Sequence, residues 1–239
     1  MQMITAHRGQ LQIQSSSEIA SQKNRGFSSG LPLLDDLAGP SAFARAAVHE
    51  ILAAPDQPLP IFFATFLARA ARAAICGAII WSDPHQLLYP PAIAAFGIPL
   101  DHLLLLRPRN DADELWALTE SLRCSGVAAA LACPRRLSTI EARRLQLAAE
   151  RGGGVGLLIR AIDAKAKSKT IPYAAATRWL VECIEGERAV QKWKVQLIHG
   201  HGGQVGKSVI LEACRATNTV RASEPVVDRQ VQTKTAMRA

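Results

Sequence analysis

Aromatic side chains are scarce: they make up 5% of the 239 residues, with only two tyrosines. That excludes a sandwich whose core is built from aromatic-rich strands. Cysteine is sparse too, and its spacing pairs nothing. Cys76, Cys124, Cys133, Cys183 and Cys214 are odd in number and contain no C-x-x-C pair. This excludes a disulfide framework and a zinc ribbon. All but Cys124 lie in apolar runs, so they are expected to be buried free thiols of a reduced compartment. No apolar run is long enough to span a bilayer. The most apolar stretch, Leu59 to Trp81, is broken by Arg69 and Arg72. Residues 1–25 are polar and Ser/Gln-rich, with no apolar secretory segment. The expectation is a cytoplasmic protein. Acidic residues are in deficit, 20 against 28 Lys plus Arg, for a net charge of +8 and a pI near 9.6. A balance of this sign suits an anionic partner such as nucleic acid.

Apolar residues reach 49%, dominated by alanine and leucine, enough for one domain with a sizeable core. The periodicity alternates. Leu31, Leu33, Leu34 and Leu37 make a short helix ended by Gly39-Pro40. Ala47 to Leu52 reads as a strand, 53–60 as a proline-rich loop, and Ile61 to Ala74 as a helix. Ile75 to Trp81 is a second strand, Pro91 to Phe96 a helix, and Leu103 to Leu106 a third strand. Asp111 to Cys124 is a helix, Val127 to Cys133 a strand, Thr139 to Arg151 a helix and Val155 to Arg160 a strand. This rhythm predicts an α/β fold with a mainly parallel sheet flanked by helices in three layers. Trp179 to Ile184, Trp193 to His199 and Val209 to Cys214 then follow with no helix between them. They predict an antiparallel C-terminal meander. The division expected is a flexible N-terminal arm at 1–25, a core at 26–214 and a basic disordered tail at 215–239.

Three constellations could carry chemistry. Gly200 to Ser208 ends in Gly-Lys-Ser, as a phosphate-binding loop does, but His201 stands where such a loop needs its first glycine. The segment reads instead as a hairpin turn. His199 and His201 lack a cysteine or acid cluster beside them, and Ser82, Asp83 and His85 lack a nucleophile elbow. Neither reads as a metal or hydrolase site. No catalytic residue, metal or cofactor is therefore expected. Basic clusters are more informative. Arg135 and Arg136 follow one parallel strand, and Lys165, Lys167 and Lys169 follow another. In a parallel α/β sheet those strand ends share the edge where ligands bind. These five are the candidate DNA contacts. Trp179 and Trp193 read as either interface anchors or core.

The order of segments resembles RecA-like proteins over roughly residues 27–214. Phe27-Ser-Ser-Gly30-Leu-Pro-Leu-Leu34-Asp35 resembles their "TGxxxLD" opening, and Val48-His-Glu50-Ile-Leu52 the strand leading to their Walker A loop. Trp81-Ser-Asp83 resembles the strand end with their water-orienting acid. Tyr89 to Leu106 resembles their "helix, G-hydrophobic-D, strand" passage, and Ala128 to Cys133 falls where their Walker B strand lies. Trp193 to Glu212 resembles their late hairpin. More narrowly, Leu106 to Leu118 and Arg143 to Glu150 resemble the ImuA family of bacterial damage-induced mutagenesis cassettes. That resemblance implies an SOS-response accessory role in translesion synthesis at the nucleoid. It also implies weak, salt-dependent contact with DNA. The implied partners are an ImuB-like inactive Y-family polymerase and an error-prone C-family polymerase, with a homo-oligomer as a further possibility. Such proteins have also been grouped with the SulA cell-division inhibitors, which implies the alternative of a division-cytoskeleton binder. The Walker A position holds Ala53-Ala-Pro55-Asp56-Gln-Pro58-Leu-Pro60, with neither glycine nor lysine, and Cys133 ends the Walker B strand without an acid. A core lacking both Walker motifs, and so no ATPase, is the expectation; an active P-loop ATPase is the third reading.

Overall fold

The protein is described from a computed structural model over residues 3–7, 10–14, 26–40, 42–162, 174–185, 190–214 and 216–224. Strands β1 (Met3–His7) and β2 (Gln10–Gln14) pair antiparallel. Part of the segment expected to be a flexible arm is thus a hairpin.

The main sheet has nine strands. In chain order these are β3 (Ala47–Ala53), β4 (Ala78–Ser82), β5 (Leu103–Leu106), β6 (Val127–Ala132), β7 (Val155–Ala161), β8 (Thr177–Ile184), β9 (Val190–Gly200), β10 (Ser208–Cys214) and β11 (Thr219–Ser223). Their spatial order is 11-10-9-8-3-7-6-4-5. Strands β5 to β8 and β3 and β4 run parallel where they pair, while β8 to β11 form an antiparallel meander. The mainly parallel sheet and its meander follow the sequence reading, with one correction. The sheet continues through β11 to Ser223, so the core does not stop at Cys214. Thr219 to Ser223 alternates exposed and half-buried residues, a one-sided edge strand too polar to register as an apolar run.

Burial explains why the sequence separates the two halves. Every residue of β3 and β6 is buried, as strands covered on both faces require. Strands β9 and β10 alternate instead, with Trp193, Val195, Leu197, Val209 and Leu211 inward. Helices α1 (Pro32–Ala38), α2 (Ile61–Ile75) and α3 (Pro90–Ala95) cover one face. Helices α4 (Asp111–Arg123) and α5 (Thr139–Gly152) cover the other, over β3, β6 and β7. Both start with side-chain caps. Asn110 accepts from the Asp113 N–H at 2.9 Å, and Ser138 with Glu141 forms a reciprocal capping box. Trp179 and Trp193 are core residues. Trp179 is fully buried, and Trp193 stacks on Phe62 with centroids 4.0 Å apart.

Two local differences have plain causes. Ile75 to Gly77 does not join β4, because Cys76 turns into the left-handed region (φ 54°) to close α2. Cys76 and Cys124 are exposed and the other three thiols half-buried, so burial of the cysteines is overturned. Both exposed thiols sit just past a helix end, and at Cys76 the apolar neighbourhood in sequence does not translate into a covered position.

The Gly200–Ser208 segment is a turn docked on the C-terminus of α1. The Gln204 N–H donates to Leu37 O at 2.9 Å and its amide to Asp36 O at 3.2 Å, capping helix carbonyls that would otherwise lack partners. A Cβ on Gly203 would lie 2.8 Å from Ala38 O, and one on Gly39 2.7 Å from Gly202 O. The glycines permit backbone-to-backbone contact.

A polar chain crosses the core beneath Phe43. The Trp179 indole N–H donates to Thr177 Oγ1 (2.7 Å), whose hydroxyl meets His49 Nδ1 (2.7 Å), and His49 Nε2 faces Ala44 O (2.8 Å). A carbonyl only accepts, so Nε2 carries a proton, and in the neutral ring Nδ1 is left to accept from the Thr177 hydroxyl. Burial pushes the His49 pKa down to about 4. On acidification the unfolded chain takes up a proton near pH 6.5 that the folded one refuses. Stability is therefore full above about pH 7 and is lost between about 6.5 and 4. The full shift corresponds to about 3 kcal/mol. Urea midpoints across that range should fall, and His49→Gln should flatten the portion above pH 5; an unchanged slope in the variant would reject this assignment.

Candidate functional site

The C-terminal ends of β3, β4, β5, β6 and β7 lie along one edge, because all five run parallel. Ligands of open α/β sheets bind at such an edge. The loop 54–60 leaves β3 at the centre of the sheet. Pro55, Pro58 and Pro60 contribute no N–H. Of the remaining amides, Ala54 donates to Val181 O (3.0 Å) and Gln57 to Ala54 O (3.1 Å). The Gln57 carboxamide accepts from the Cys183 N–H at 3.2 Å, stapling the loop to β8. Asp56 is exposed, with φ at 60°. A phosphate cradle needs converging free N–H groups and positive charge; this loop offers three prolines, two amides already bonded to carbonyls, and a carboxylate in place of a lysine.

The Gly-Lys-Ser turn offers no cradle either. The amides of Gln204, Val205, Gly206 and Lys207 donate to carbonyls of Leu37, Gly203, Leu197 and Gln204 respectively. Lys207 is exposed on this turn, which lies on α1 rather than at the parallel-strand edge.

Asp83 follows β4. Its two carboxylate oxygens accept the N–H groups of Leu87 (2.9 Å) and Leu88 (3.1 Å), so it shapes the 83–89 loop. Ser82 donates to Glu114 Oε1 at 2.6 Å, joining β4 to α4. Ser82, Asp83 and His85 thus make no relay: serine and aspartate each have other partners. Cys133, the residue after β6, faces the same region. Burial first, then the charges of Glu114 and Asp83, push its thiol up to about 12, so it stays protonated and a poor metal ligand.

A cavity of about 850 Å³ opens here, between α2, α3 and the ends of β4 and β6. Phe62, Ile93 and Phe96 supply apolar wall, while Ser82, Asp83 and Glu114 are its buried polar lining. Arg109 and Arg135 stand at it as exposed cations. Arg135 and Arg136 also border a smaller hollow under the start of α5. The two arginines leave β6, and the segment after β7 starts beside them at the same edge. Lys165, Lys167 and Lys169 themselves lie outside the described residues. His199 and His201 sit at the far turn with ring centroids 5.6 Å apart. Among the described residues no three His, Cys, Asp or Glu side chains gather as a metal site. Nor is any helix there long and apolar enough to cross a membrane.

No family model matches the chain. ImuA of Caulobacter vibrioides (strain NA1000 / CB15N) is 29% identical over 136 residues, 57% of this chain and 52% of that protein. Over that stretch the chain is similar to ImuA. The ImuA of strain ATCC 19089 / CIP 103742 / CB 15 gives the same figures, and the chain spans about half the length of the curated relatives it matches. The RadB recombinase crystal structure superposes with a TM-score of 0.60 at 14% identity, covering 83% of this chain and 100% of RadB. At that identity the likeness shows a RecA-like recombinase fold and nothing more. Strand β3 lies at the centre of the nine-stranded sheet.

Sequence reasoning missed the charged groups that matter most inside. Glu50, on β3, is buried, with Arg160 donating at 2.8 Å and the Arg178 guanidinium bonded to its other oxygen. Glu114 looked like an ordinary acid in a helix first turn. One signal was available: His49-Glu50 interrupts a strand otherwise apolar enough to be covered on both faces, and such residues must be partnered.

Proposed function

We propose that this chain is a non-catalytic accessory protein of damage-induced, error-prone translesion DNA synthesis. It binds DNA weakly through its basic strand-end segments and holds polymerase partners, without hydrolysing nucleotide. The observation that carries this reading is the 54–60 loop: at the centre of a RecA-like sheet, three prolines, the bonded amides of Ala54 and Gln57, and Asp56 stand where triphosphate would need glycines and a lysine. The similarity to ImuA supports the mutagenesis setting. Arg135, Arg136, Lys165, Lys167 and Lys169 are the proposed DNA contacts. An ImuB-like inactive Y-family polymerase and an error-prone C-family polymerase are the proposed partners, in the cytoplasm at the nucleoid.

Calorimetric titration with magnesium-ATP tests the core of this. No saturable heat is expected up to about 1 mM nucleotide. Lys207→Ala should behave identically. Tight binding that the variant loses would return the chain to the ATPases. Anisotropy of a labelled oligonucleotide, with a salt series, tests the DNA half.

A further inference from the structure

Apart from Arg135, a proposed DNA contact at its mouth, the cavity at the ends of β4 and β6 is unused by the reading above. We infer that it is a docking site for a partner-protein segment that inserts a large apolar side chain and flanks it with acidic residues. This deepens the partner half of the proposed function and rests on it for the class of partner.

Four observations converge. The cavity holds about 850 Å³ beside apolar walls that include Phe62, Ile93 and Phe96. Its mouth gathers large apolar side chains left in solvent: Leu87 is 81% exposed, Tyr89 68% and Leu59 39%. Such side chains clustered at one hollow mark an interaction surface, whereas scattered singly they would mean little. The mouth is also fixed in advance. Asp83 holds the Leu87 and Leu88 amides, and Arg69 donates to Phe96 O at 3.1 Å, pinning the end of α3 to α2. A preformed site loses less entropy on binding. Finally, Arg109 and Arg135 are exposed at the cavity, with no carboxylate within ion-pair distance among the described residues. They complement acidic flanks.

The lining argues against other occupants. Ser82 is committed to Glu114, and both Asp83 oxygens to amides, so these groups are already engaged rather than waiting to read a base edge. The two buried carboxylates repel phosphate, which confines anions to the arginines at the mouth. An apolar anchor needs none of those polar groups.

The test uses the full chain and two short fluorescein-labelled acidic peptides, one with a central Leu-Phe pair and one with Ala-Ala there. At about 0.1 M salt the Leu-Phe peptide should bind about tenfold tighter. Leu87→Asp and Tyr89→Ala, both at exposed positions and so harmless to folding, should each weaken it by about tenfold. Arg109→Glu should weaken it several-fold and reduce its salt dependence. Equal binding of the two peptides, no binding of either, or indifference to Leu87→Asp overturns the inference. So does an oligonucleotide that displaces the peptide and itself loses affinity in Leu87→Asp, which would assign the cavity to nucleic acid. Magnesium-ATP and DNA titrations on the same preparation keep the two claims apart. Intact DNA binding without nucleotide binding, alongside a failed peptide, sinks only the docking site.

Discussion

Replacing Glu50 with alanine is expected to cost about 3–5 kcal/mol, the range for breaking a buried ion pair from one side. Glu50 lies on the central strand with its side chain 3% exposed, between the Arg178 side chain at 5% and the Arg160 side chain at 20%. Register puts them together. Glu50 stands opposite Arg178 on β8, and Arg160 on β7 is two residues beyond the partner of Glu50, on the same face. Removing the carboxylate leaves two guanidinium groups deprived of their shared counter-ion, one of them almost wholly out of water. Urea denaturation would show the loss as a lowered midpoint with little change in slope. The triple replacement Glu50→Leu, Arg178→Leu, Arg160→Met should recover more than half of it, because a well-packed apolar set needs no desolvation compensation. A loss below about 1 kcal/mol for Glu50→Ala would mean that the triad contributes no more than a surface pair.

The second large effect is on DNA affinity. If Arg135, Arg136, Lys165, Lys167 and Lys169 each neutralise one phosphate, log affinity should fall against log salt with a slope of about −3.5 for single strands and about −4.5 for duplex. Between roughly 50 and 200 mM salt that is a loss of about 100- to 500-fold. Arg135→Ala with Arg136→Ala should make the slope shallower by about 1.4 to 1.8 units; neutralising the three lysines should remove most of the remainder. Sequence preference should be slight, since phosphate contacts carry little base information. A flat salt dependence, or a slope indifferent to these substitutions, would reject the five residues as the contact surface.

Much of the architecture is legible in the chain itself. Fully apolar runs such as Val127 to Ala132 announce strands covered on both faces, and the alternating β9 announces a one-sided meander. Both patterns follow from local periodicity and need no knowledge of neighbours. The 53–60 segment is legible for the same reason: a proline lacks its N–H wherever the chain carries it. Five parallel strands in a row then oblige Arg135 and Arg136 to share the edge where the segment after β7 begins. The polar edge strand β11 escaped, because five residues of mixed character carry too weak a period.

Only the tertiary structure decided which charges are internal and which apolar surfaces stay exposed. Glu50 meets Arg160 and Arg178 across 110 and 128 residues of chain, and Glu114 meets Ser82 across 32. No local pattern encodes such a meeting; it arises from strand order and register. The cavity is decided in the same way. Its walls come from α2, α3, two strand ends and the 83–89 loop, each apolar for its own packing, and the hollow exists only because their assembled volumes leave it unfilled.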